Sequence, residues 1–178
     1  MQVATGKSIL NGVAIGPLRV FRKEETTTVE SSRTPAGEWA RFGAACEQAK
    51  EQLGALYEKA LDEGGEENAA IFEIHQMMLE DEDYLEAIQN IIETQGTTAE
   101  YATAITGENF SATFAAMDDA YMQARATDVK DISERVVNIL SGRTQANLLG
   151  DDPVILVADD LTPSETVQLD KSKLLGFI

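Results

Sequence analysis

The sequence predicts a multi-domain α+β protein in which a bundle of four or five helices is inserted into an incomplete α/β domain. Residues 1–22 alternate apolar and polar positions, and residues 154–158 form a continuous apolar run, so both ends of the chain contain strand signals. Between them, most of residues 66–140 show apolar residues recurring three and four apart, as in amphipathic helices. We therefore expect an α/β domain formed by residues 1–33 (with a polar linker from residue 23) and 144–178, and a helical domain formed by residues 34–143.

The helical domain has recognisable starts and breaks. Thr34 places a capping hydroxyl before Pro35, which suits the first helical position, and this helix should end near Gly64 and Gly65. Residues 97–100 (T-T-A-E) form a capping box in which we expect Thr97 to be the cap. Other breaks are predicted at residues 81–83, 96–97 and 118–119.

Beyond residue 142 the pattern returns to that of an α/β domain. The run at 154–158 is typical of a strand buried on both faces, and residues 162–165 (T-P-S-E) form a second capping box that opens a short helix through Leu169. Residues 174–178 predict another strand. Because it ends in apolar Phe177 and Ile178, we expect the chain to be a fragment of a longer protein.

The charge balance limits the class of partner. The chain has 14 Lys and Arg against 31 Asp and Glu, a formal net charge of −17. We expect no nucleic-acid binding, because contacts with phosphate groups need Lys and Arg side chains. The negative net charge favours basic partners instead. The single cysteine, Cys46, and the lack of an apolar run of roughly 18 residues predict a cytoplasmic protein without a membrane span.

Residues that could carry chemistry are few. The chain has one His and one Cys, which disfavours nucleophilic triads and transition-metal sites, and the acidic run 80–83 lacks the glycine of a calcium loop. His75 shares a helical stripe with Ile71, Met78 and Glu82. That stripe is either a core margin or an exposed contact surface, and spacing alone favours the core margin. Phe72 and Leu79 form a neighbouring stripe that is the better core candidate.

Four segments, in order, resemble a known family. Residues 70–82 (A-I-F-E-I-H-Q-M-M-L-E-D-E) resemble the A-I-F-E-x-H-x-M-L-L-E-D signature of Enzyme I, the phosphoenolpyruvate-protein phosphotransferase of the bacterial sugar phosphotransferase system. Residues 12–16 resemble its opening G-I-A-x-G, and residues 125–132 resemble its E-R-A-A-D-V-R-D-I helix. Residues 154–166 resemble V-I-L-V-A-x-D-L-T-P-S-E-T and are followed by L-L-G-F-I.

The resemblance implies a fold and a phosphoryl relay. Enzyme I begins with an α/β phosphohistidine domain interrupted by a helical domain that docks the phosphocarrier protein HPr. In the homodimeric full-length enzyme, a C-terminal barrel binds phosphoenolpyruvate and Mg2+, and the phosphoryl group passes to a histidine and then to HPr. The phosphohistidine is expected just after Ile178, so the resemblance implies neither a catalytic residue nor a cofactor in this chain.

The resemblance also assigns site residues. It places His75 on the docking helix, and it favours the exposed reading of that stripe. Tyr84 and Phe114 stand where the family commonly has Leu, and Asn68 stands where many members have a Lys that pairs with the active-site histidine. Thr166 matches a Thr near that histidine, although an ordinary first-turn role suits it equally well. The docking surface implied for HPr comprises Glu66, Glu67, Ile71, His75, Met78, Glu82, Asp83, Tyr84, Phe114, Met122 and Arg125.

Two alternatives remain open at this level. One is an Enzyme I-like domain of a nitrogen-regulatory or multiphosphoryl phosphotransferase. The other is a helical docking module with no enzymatic context. An N-terminal sensory domain would distinguish the nitrogen-regulatory protein, and the gene sequence beyond residue 178 would distinguish the docking module.

Overall fold

The computed structural model describes residues 13–21, 30–143, 149–150, 152–158 and 161–178. The predicted strand region before residue 13 and most of the predicted linker lie outside these residues. The elements in chain order are β1 (Leu18–Val20), α1 (Pro35–Gly64), α2 (Glu66–Met78), α3 (Glu82–Gln95), α4 (Ala99–Ala115), α5 (Ala120–Leu140), β2 (Val154–Val157), α6 (Pro163–Gln168) and β3 (Leu174–Phe177). The predicted combination of a helical bundle with a small sheet is confirmed, with five helices of 13 or more residues and strands near both ends.

The described residues form two compact units. The first contains residues 13–21, 149–150, 152–158 and 169–178, and the second contains residues 30–143 and 161–168. The sequence places α6 with the α/β segment, but the structure groups it with the helices. The reason is local contact, because the Ser164 N–H donates to Asp131 Oδ2 at 2.9 Å and Lys59 Nζ donates to the Val167 carbonyl at 2.7 Å.

The first unit is a small parallel sheet in the order β1-β2-β3. The central strand β2 is the apolar run predicted to be buried, and Leu156 at its middle is fully buried. The outer strands carry exposed apolar side chains, since Leu18 and Val20 of β1 are 65% and 59% exposed and Phe177 of β3 is 51% exposed. The sheet therefore buries its central strand and leaves apolar side chains of both outer strands exposed.

The second unit has a single hydrophobic core shared by α1 to α5. Phe72 and Leu79, the stripe predicted to be core, are 0% and 2% exposed. At Gly107 of α4, an added Cβ would lie 2.3 Å from Ser133 Oγ, so only glycine permits this close approach to α5. Other core members are Phe42, Ala49, Leu53, Ile88, Ile92, Ile132 and Val136.

Helix starts follow the predicted capping chemistry with one correction. The Thr34 hydroxyl accepts from the Gly37 N–H at 3.2 Å, and Thr162 forms a reciprocal capping box with Glu165, at 2.7 and 3.3 Å. In α4, however, the cap is Thr98, whose hydroxyl accepts from the Tyr101 N–H at 3.3 Å. The prediction that Thr97 caps this helix was wrong.

A buried carboxylate explains why α4 begins one residue later. Glu38 of α1 is fully buried and accepts the Ala99 N–H, the first amide of α4, at 3.1 Å. Glu100, expected to complete a capping box, instead accepts two hydrogen bonds from Arg41 at 2.6 and 3.1 Å. The start of α4 is thus fixed by side chains of α1.

Candidate functional site

The site predicted for docking centres on the starts of α2 and α3. Glu66 and Glu67 occupy the first turn of α2, and Glu82 and Asp83 occupy the first turn of α3. All four carboxylates are exposed, and a negative charge in a first turn is favoured by the helix dipole. The two helices therefore present acidic side chains at low energetic cost.

Apolar members of the predicted set are only partly exposed. Ile71 and Met78 of α2 are half-buried and pack against the core of the helical unit. Phe114 of α4 and Met122 of α5 are also half-buried. Each keeps some surface that a partner could cover.

The structure differs from the predicted surface at two positions. His75 is completely buried, and Tyr84 is 2% exposed, so neither side chain is available to a partner on the surface. The Tyr84 hydroxyl lies 2.8 Å from Ser133 Oγ in a buried hydrogen bond, and its ring packs edge-on against Phe110, with centroids 5.8 Å apart. Burial also raises the pKa of Tyr84, which keeps the hydroxyl protonated.

The predicted stripe is also interrupted. Glu82 does not continue the helix that carries His75, because α2 ends at Met78 and Asp81 caps a new helix by accepting the Tyr84 N–H at 3.0 Å. Glu82 therefore reaches the surface from the start of α3. Because Ile71 and Glu82 lie in different helices, their spacing of eleven residues does not place them on one helix face.

His75 occupies a buried acidic setting contributed by α5. Its Nε2 lies 3.2 Å from Asp128 Oδ1, and its Nδ1 lies 3.9 Å from Asp131 Oδ2. The ring also packs edge-on against Phe72 of the same helix, at 5.9 Å between centroids. These contacts tie α2 to α5, which is the physical reason that His75 is not on the surface.

Asp128 connects this buried histidine to the protein surface. Its Oδ2 accepts from Arg125 Nη1 at 2.7 Å, while its Oδ1 faces His75. Burial raises the pKa of Asp128, but the contacts with His75 and Arg125 outweigh burial and hold the pKa below 3.8. The carboxylate is therefore ionised at neutral pH.

Arg125 is the outer end of this network. Its side chain is 15% exposed, and its guanidinium carbon lies 4.5 Å from the ring centroid of Tyr121, which is itself 63% exposed. Burial lowers the pKa of Arg125, but the contacts with Asp128 and Tyr121 outweigh burial and raise the pKa above its usual value. The guanidinium therefore stays charged. Arg125 thus presents a positive charge beside an exposed aromatic ring.

Two residues predicted near an active site have local roles in the structure. Asn68 is exposed, and its side-chain amide donates to the Gly64 carbonyl at 3.1 Å, which satisfies a carbonyl at the end of α1. Thr166 is exposed, and its hydroxyl donates to the Thr162 carbonyl at 2.9 Å. The ordinary first-turn role of Thr166 is the one that the described contacts show.

Sequence reasoning missed the residues that organise this region. Asp128, Asp131 and Ser133 lie within a helix whose resemblance to the family was noted, but no function was assigned to them. Their spacing of three and two residues, on the same helix as Arg125, was the available signal. It becomes informative only when the helix that faces them is known.

Comparison with known proteins places this fold in a family. Residues 5–125 match the family model described as "PEP-utilising enzyme, N-terminal". The phosphoenolpyruvate-protein phosphotransferase of Geobacillus stearothermophilus is 39% identical over 176 residues, which cover 97% of this chain and 30% of the relative. That of Bacillus subtilis (strain 168) is 36% identical over 181 residues, covering 99% of this chain and 31% of the relative. The chain thus spans about 30% of the length of these curated relatives.

Solved structures agree with the sequence comparison. A solution NMR structure of Enzyme I matches with a TM-score of 0.71 and 34% identity, covering 92% of this chain and 68% of that chain. The N-terminal domain of the nitrogen Enzyme 1 matches with a TM-score of 0.69 and 25% identity, covering 93% of this chain and 69% of that chain. The chain therefore belongs to the N-terminal domain family of phosphoenolpyruvate-utilising enzymes, as a relative of Enzyme I, the phosphoenolpyruvate-protein phosphotransferase.

Proposed function

We propose that this chain provides the docking surface for the phosphocarrier protein HPr in a phosphoenolpyruvate-protein phosphotransferase. In this scheme the whole enzyme takes a phosphoryl group from phosphoenolpyruvate onto a histidine and passes it to a histidine of HPr, which supplies sugar uptake. The observation that carries the proposal is that α2 has exposed Glu66 and Glu67 in its first turn and half-buried Met78 at its last residue, and that exposed Glu82 and Asp83 follow in the first turn of α3. Such a surface suits a basic partner with an apolar centre.

The burial of His75 argues against phosphoryl acceptance by this residue. A ring nitrogen must be reachable by the donor to accept a phosphoryl group, and the His75 side chain is 0% exposed. Its two nitrogens also face carboxylates, and a phosphoryl group placed there would be repelled by their negative charge. Since His75 is the only histidine of the 178 residues, we assign the phosphohistidine to another part of the whole enzyme.

The remaining functions of the whole enzyme are assigned elsewhere in the same proposal. Among the described residues, no group of three or more His, Cys, Asp or Glu side chains is placed to hold a metal ion. Mg2+ binding is assigned to another part of the whole enzyme. Phosphoenolpyruvate binding and dimer formation belong to other parts of the enzyme in this scheme. No helix in the described ranges is long and apolar enough to cross a membrane, and we propose a cytoplasmic location.

Titration of the 15N-labelled chain with HPr tests the docking surface. We expect shift changes at the starts of α2 and α3, and weaker binding by Met78→Ala and by Glu67→Lys. Met78→Ala removes apolar contact, so we expect a loss of about 1 kcal/mol, or roughly fivefold in affinity. Glu67→Lys should weaken binding more at low salt than at high salt, because screening reduces the attraction between exposed charges.

Glu93→Lys is the matched control for the charge reversal. Glu93 is exposed on α3, eleven residues beyond Glu82, or roughly 16 Å along the helix axis. The control should leave the affinity unchanged, while the net charge of the chain changes by the same amount as in Glu67→Lys. Unchanged affinity in both Met78→Ala and Glu67→Lys, or equal losses in Glu67→Lys and Glu93→Lys, would place the docking surface elsewhere.

A further inference from the structure

A single buried carboxylate joins two helices that carry predicted docking residues. Asp128 is 4% exposed, and its two oxygens have different partners. Oδ1 lies 3.2 Å from Nε2 of His75 in α2, and Oδ2 accepts from Nη1 of Arg125 in α5 at 2.7 Å. The carboxylate of Asp128 therefore links α2 to the Arg125 side chain at the surface of α5.

We propose that Asp128 is a positioning residue for phosphocarrier docking, which fixes the Arg125 guanidinium at the surface while His75 fixes Asp128 from the inside. This inference rests on the proposed docking function. It assigns no contact between Asp128 and the partner, because the carboxylate is buried. Its effect passes through Arg125.

Two contacts define the direction of the Arg125 guanidinium. One is the hydrogen bond to Asp128, and the other is the stacking on Tyr121 at 4.5 Å. An arginine side chain carries roughly 2 kcal/mol of rotamer entropy, and a fixed fork loses less of it on binding. The Tyr121 ring is 63% exposed and offers a flat surface, whereas the hydrogen bond to Asp128 joins two charged groups and is the stronger directional contact.

The second oxygen of the Asp128 carboxylate lies against the His75 ring. The imidazole occupies Oδ1, which leaves Oδ2 facing Arg125. On the other side of the ring, Nδ1 lies 3.9 Å from Asp131, whose Oδ2 is held by the Ser164 N–H at 2.9 Å. The ring is thus held between two carboxylates of α5, and only one of them bonds Arg125.

Asp131 consequently offers a matched control. Asp128→Asn and Asp131→Asn each remove one buried carboxylate charge facing His75, and each preserves side-chain shape. Of the two variants, only Asp128→Asn removes a charge that is hydrogen-bonded to Arg125. A merely structural role of the buried network predicts similar effects for the two variants, and the positioning role predicts different ones.

A double-mutant cycle on HPr affinity tests the inference. Each Asn variant is compared in the wild-type background and in the Arg125→Ala background, since residues that act together show non-additive effects. We expect Asp128→Asn to weaken binding about fivefold in the wild-type background and less than about twofold with Arg125→Ala. Asp131→Asn should have the same effect in both backgrounds. Equal losses from Asp128→Asn in both backgrounds would overturn the positioning role.

A measurement without a partner completes the test. NMR relaxation of the Arg125 Nε–H group in the free chain should show that Asp128→Asn makes this side chain more mobile. Asp131→Asn should leave its mobility unchanged. An unchanged Arg125 signal in Asp128→Asn contradicts the inference even if HPr does not bind. Failure of the wild-type chain to bind HPr contradicts the proposed function instead, so the two failures are distinguishable.

A surface variant covers the case in which Asp128→Asn does not fold. Arg125→Lys keeps the charge at a side chain that is 15% exposed but loses the fixed fork that bonds Asp128. We expect it to weaken HPr binding nearly as much as Arg125→Ala does. Affinity equal to that of the wild type would show that only the charge of Arg125 matters, and that its positioning by Asp128 does not.

Discussion

The buried carboxylate of Glu38 provides the sharpest stability prediction. It is 0% exposed, and it accepts hydrogen bonds from the Ser31 hydroxyl, from Arg41 Nη1 at 2.6 Å and from the Ala99 N–H at 3.1 Å. Glu38→Gln keeps the shape and removes the negative charge, so the ion pair with Arg41 is lost. Breaking a buried pair by removing one partner costs about 3–5 kcal/mol.

The structure favours the lower part of that range. Arg41 keeps its two hydrogen bonds with Glu100, at 2.6 and 3.1 Å, so its own charge remains paired. The amide oxygen of the glutamine can take the place of Oε2 and still accept from Arg41 and Ala99, and its NH2 group can donate to the Ser31 hydroxyl. We therefore expect Glu38→Gln to lower the free energy of unfolding of the helical unit by about 3 kcal/mol at pH 7.

The same carboxylate makes the effect depend on pH. Burial raises the pKa of Glu38, but the hydrogen bonds from Ser31, Ala99 and Arg41 outweigh burial and hold the pKa below 4.5. Its contribution is then complete above pH 4.5 and is lost as the pH falls through the lower folded-state pKa. The difference between wild type and Glu38→Gln should be constant from neutral pH down to about pH 5.5 and should shrink below pH 4.5.

Urea unfolding followed by far-ultraviolet circular dichroism measures both effects. Glu47→Gln on the same helix is the control, because the Glu47 side chain is 72% exposed although it pairs with Lys50 at 2.6 Å. An exposed pair contributes about 0–1 kcal/mol, and Lys50 keeps a second partner in Glu80, so the control should change little. A loss in Glu38→Gln no larger than that of Glu47→Gln, or a difference that persists unchanged on acidification, would refute the reasoning.

Three further outcomes are expected from the described contacts. Thr98→Ala should lower the free energy of unfolding by about 1 kcal/mol and Thr97→Ala by less, as urea denaturation can measure, because Thr98 is the cap of α4; the reverse order would restore the predicted cap. Burial raises the pKa of Cys46 to about 12, so the thiol should react with a disulfide reagent at pH 8 only on unfolding, and rapid reaction of the folded chain would contradict this. Radiolabelled phosphoenolpyruvate with a complete Enzyme I and HPr should label HPr and leave His75 unlabelled, and label on His75 would contradict the roles assigned here.

Much of the fold could be predicted because its signals are local. Thr34, the breaks at residues 81–83 and the Thr162–Glu165 box act within one helical turn, and all three are seen in the structure. The placement of Thr97 failed because two side chains of α1, far away in the sequence, act at this helix start: Glu38 accepts the Ala99 N–H, and Arg41 binds the Glu100 carboxylate that was expected to complete the box. A single sequence does not show such a tertiary cap.

The environment of His75 could not be predicted for a related reason. Helical spacing favoured a core margin, whereas the family resemblance favoured an exposed position, and the structure shows complete burial. What decides between them is the pair Asp128 and Asp131, because buried polar groups require partners. These carboxylates come from α5, and no pattern within α2 indicates that α5 is its neighbour.

The acidic surface is compatible with a stable helical unit. A net charge of −17 implies repulsion between carboxylates, which works against a compact fold. Yet Glu66 and Glu67 lie in the first turn of α2, where a negative charge contributes about 0.3–1 kcal/mol through the helix dipole. In the free chain these carboxylates therefore stabilise their own helix, and in the proposed complex they attract a basic partner. A loss of affinity in their variants must be corrected for the loss of stability of α2.

The four acidic residues at positions 80–83 differ in what their carboxylates contact within the chain. Glu80 pairs with Lys50 at 3.0 Å, so part of its charge is already neutralised within the chain. Asp81 accepts the Tyr84 N–H at 3.0 Å and caps α3, so its removal would damage the helix start whatever its effect on a partner. The last two residues of the run are exposed in the first turn of α3. A charge-neutralising scan of the run should therefore change HPr affinity chiefly at those two positions, and helix stability chiefly at Asp81; a main effect on affinity at Glu80 would show that the pair with Lys50 opens on binding.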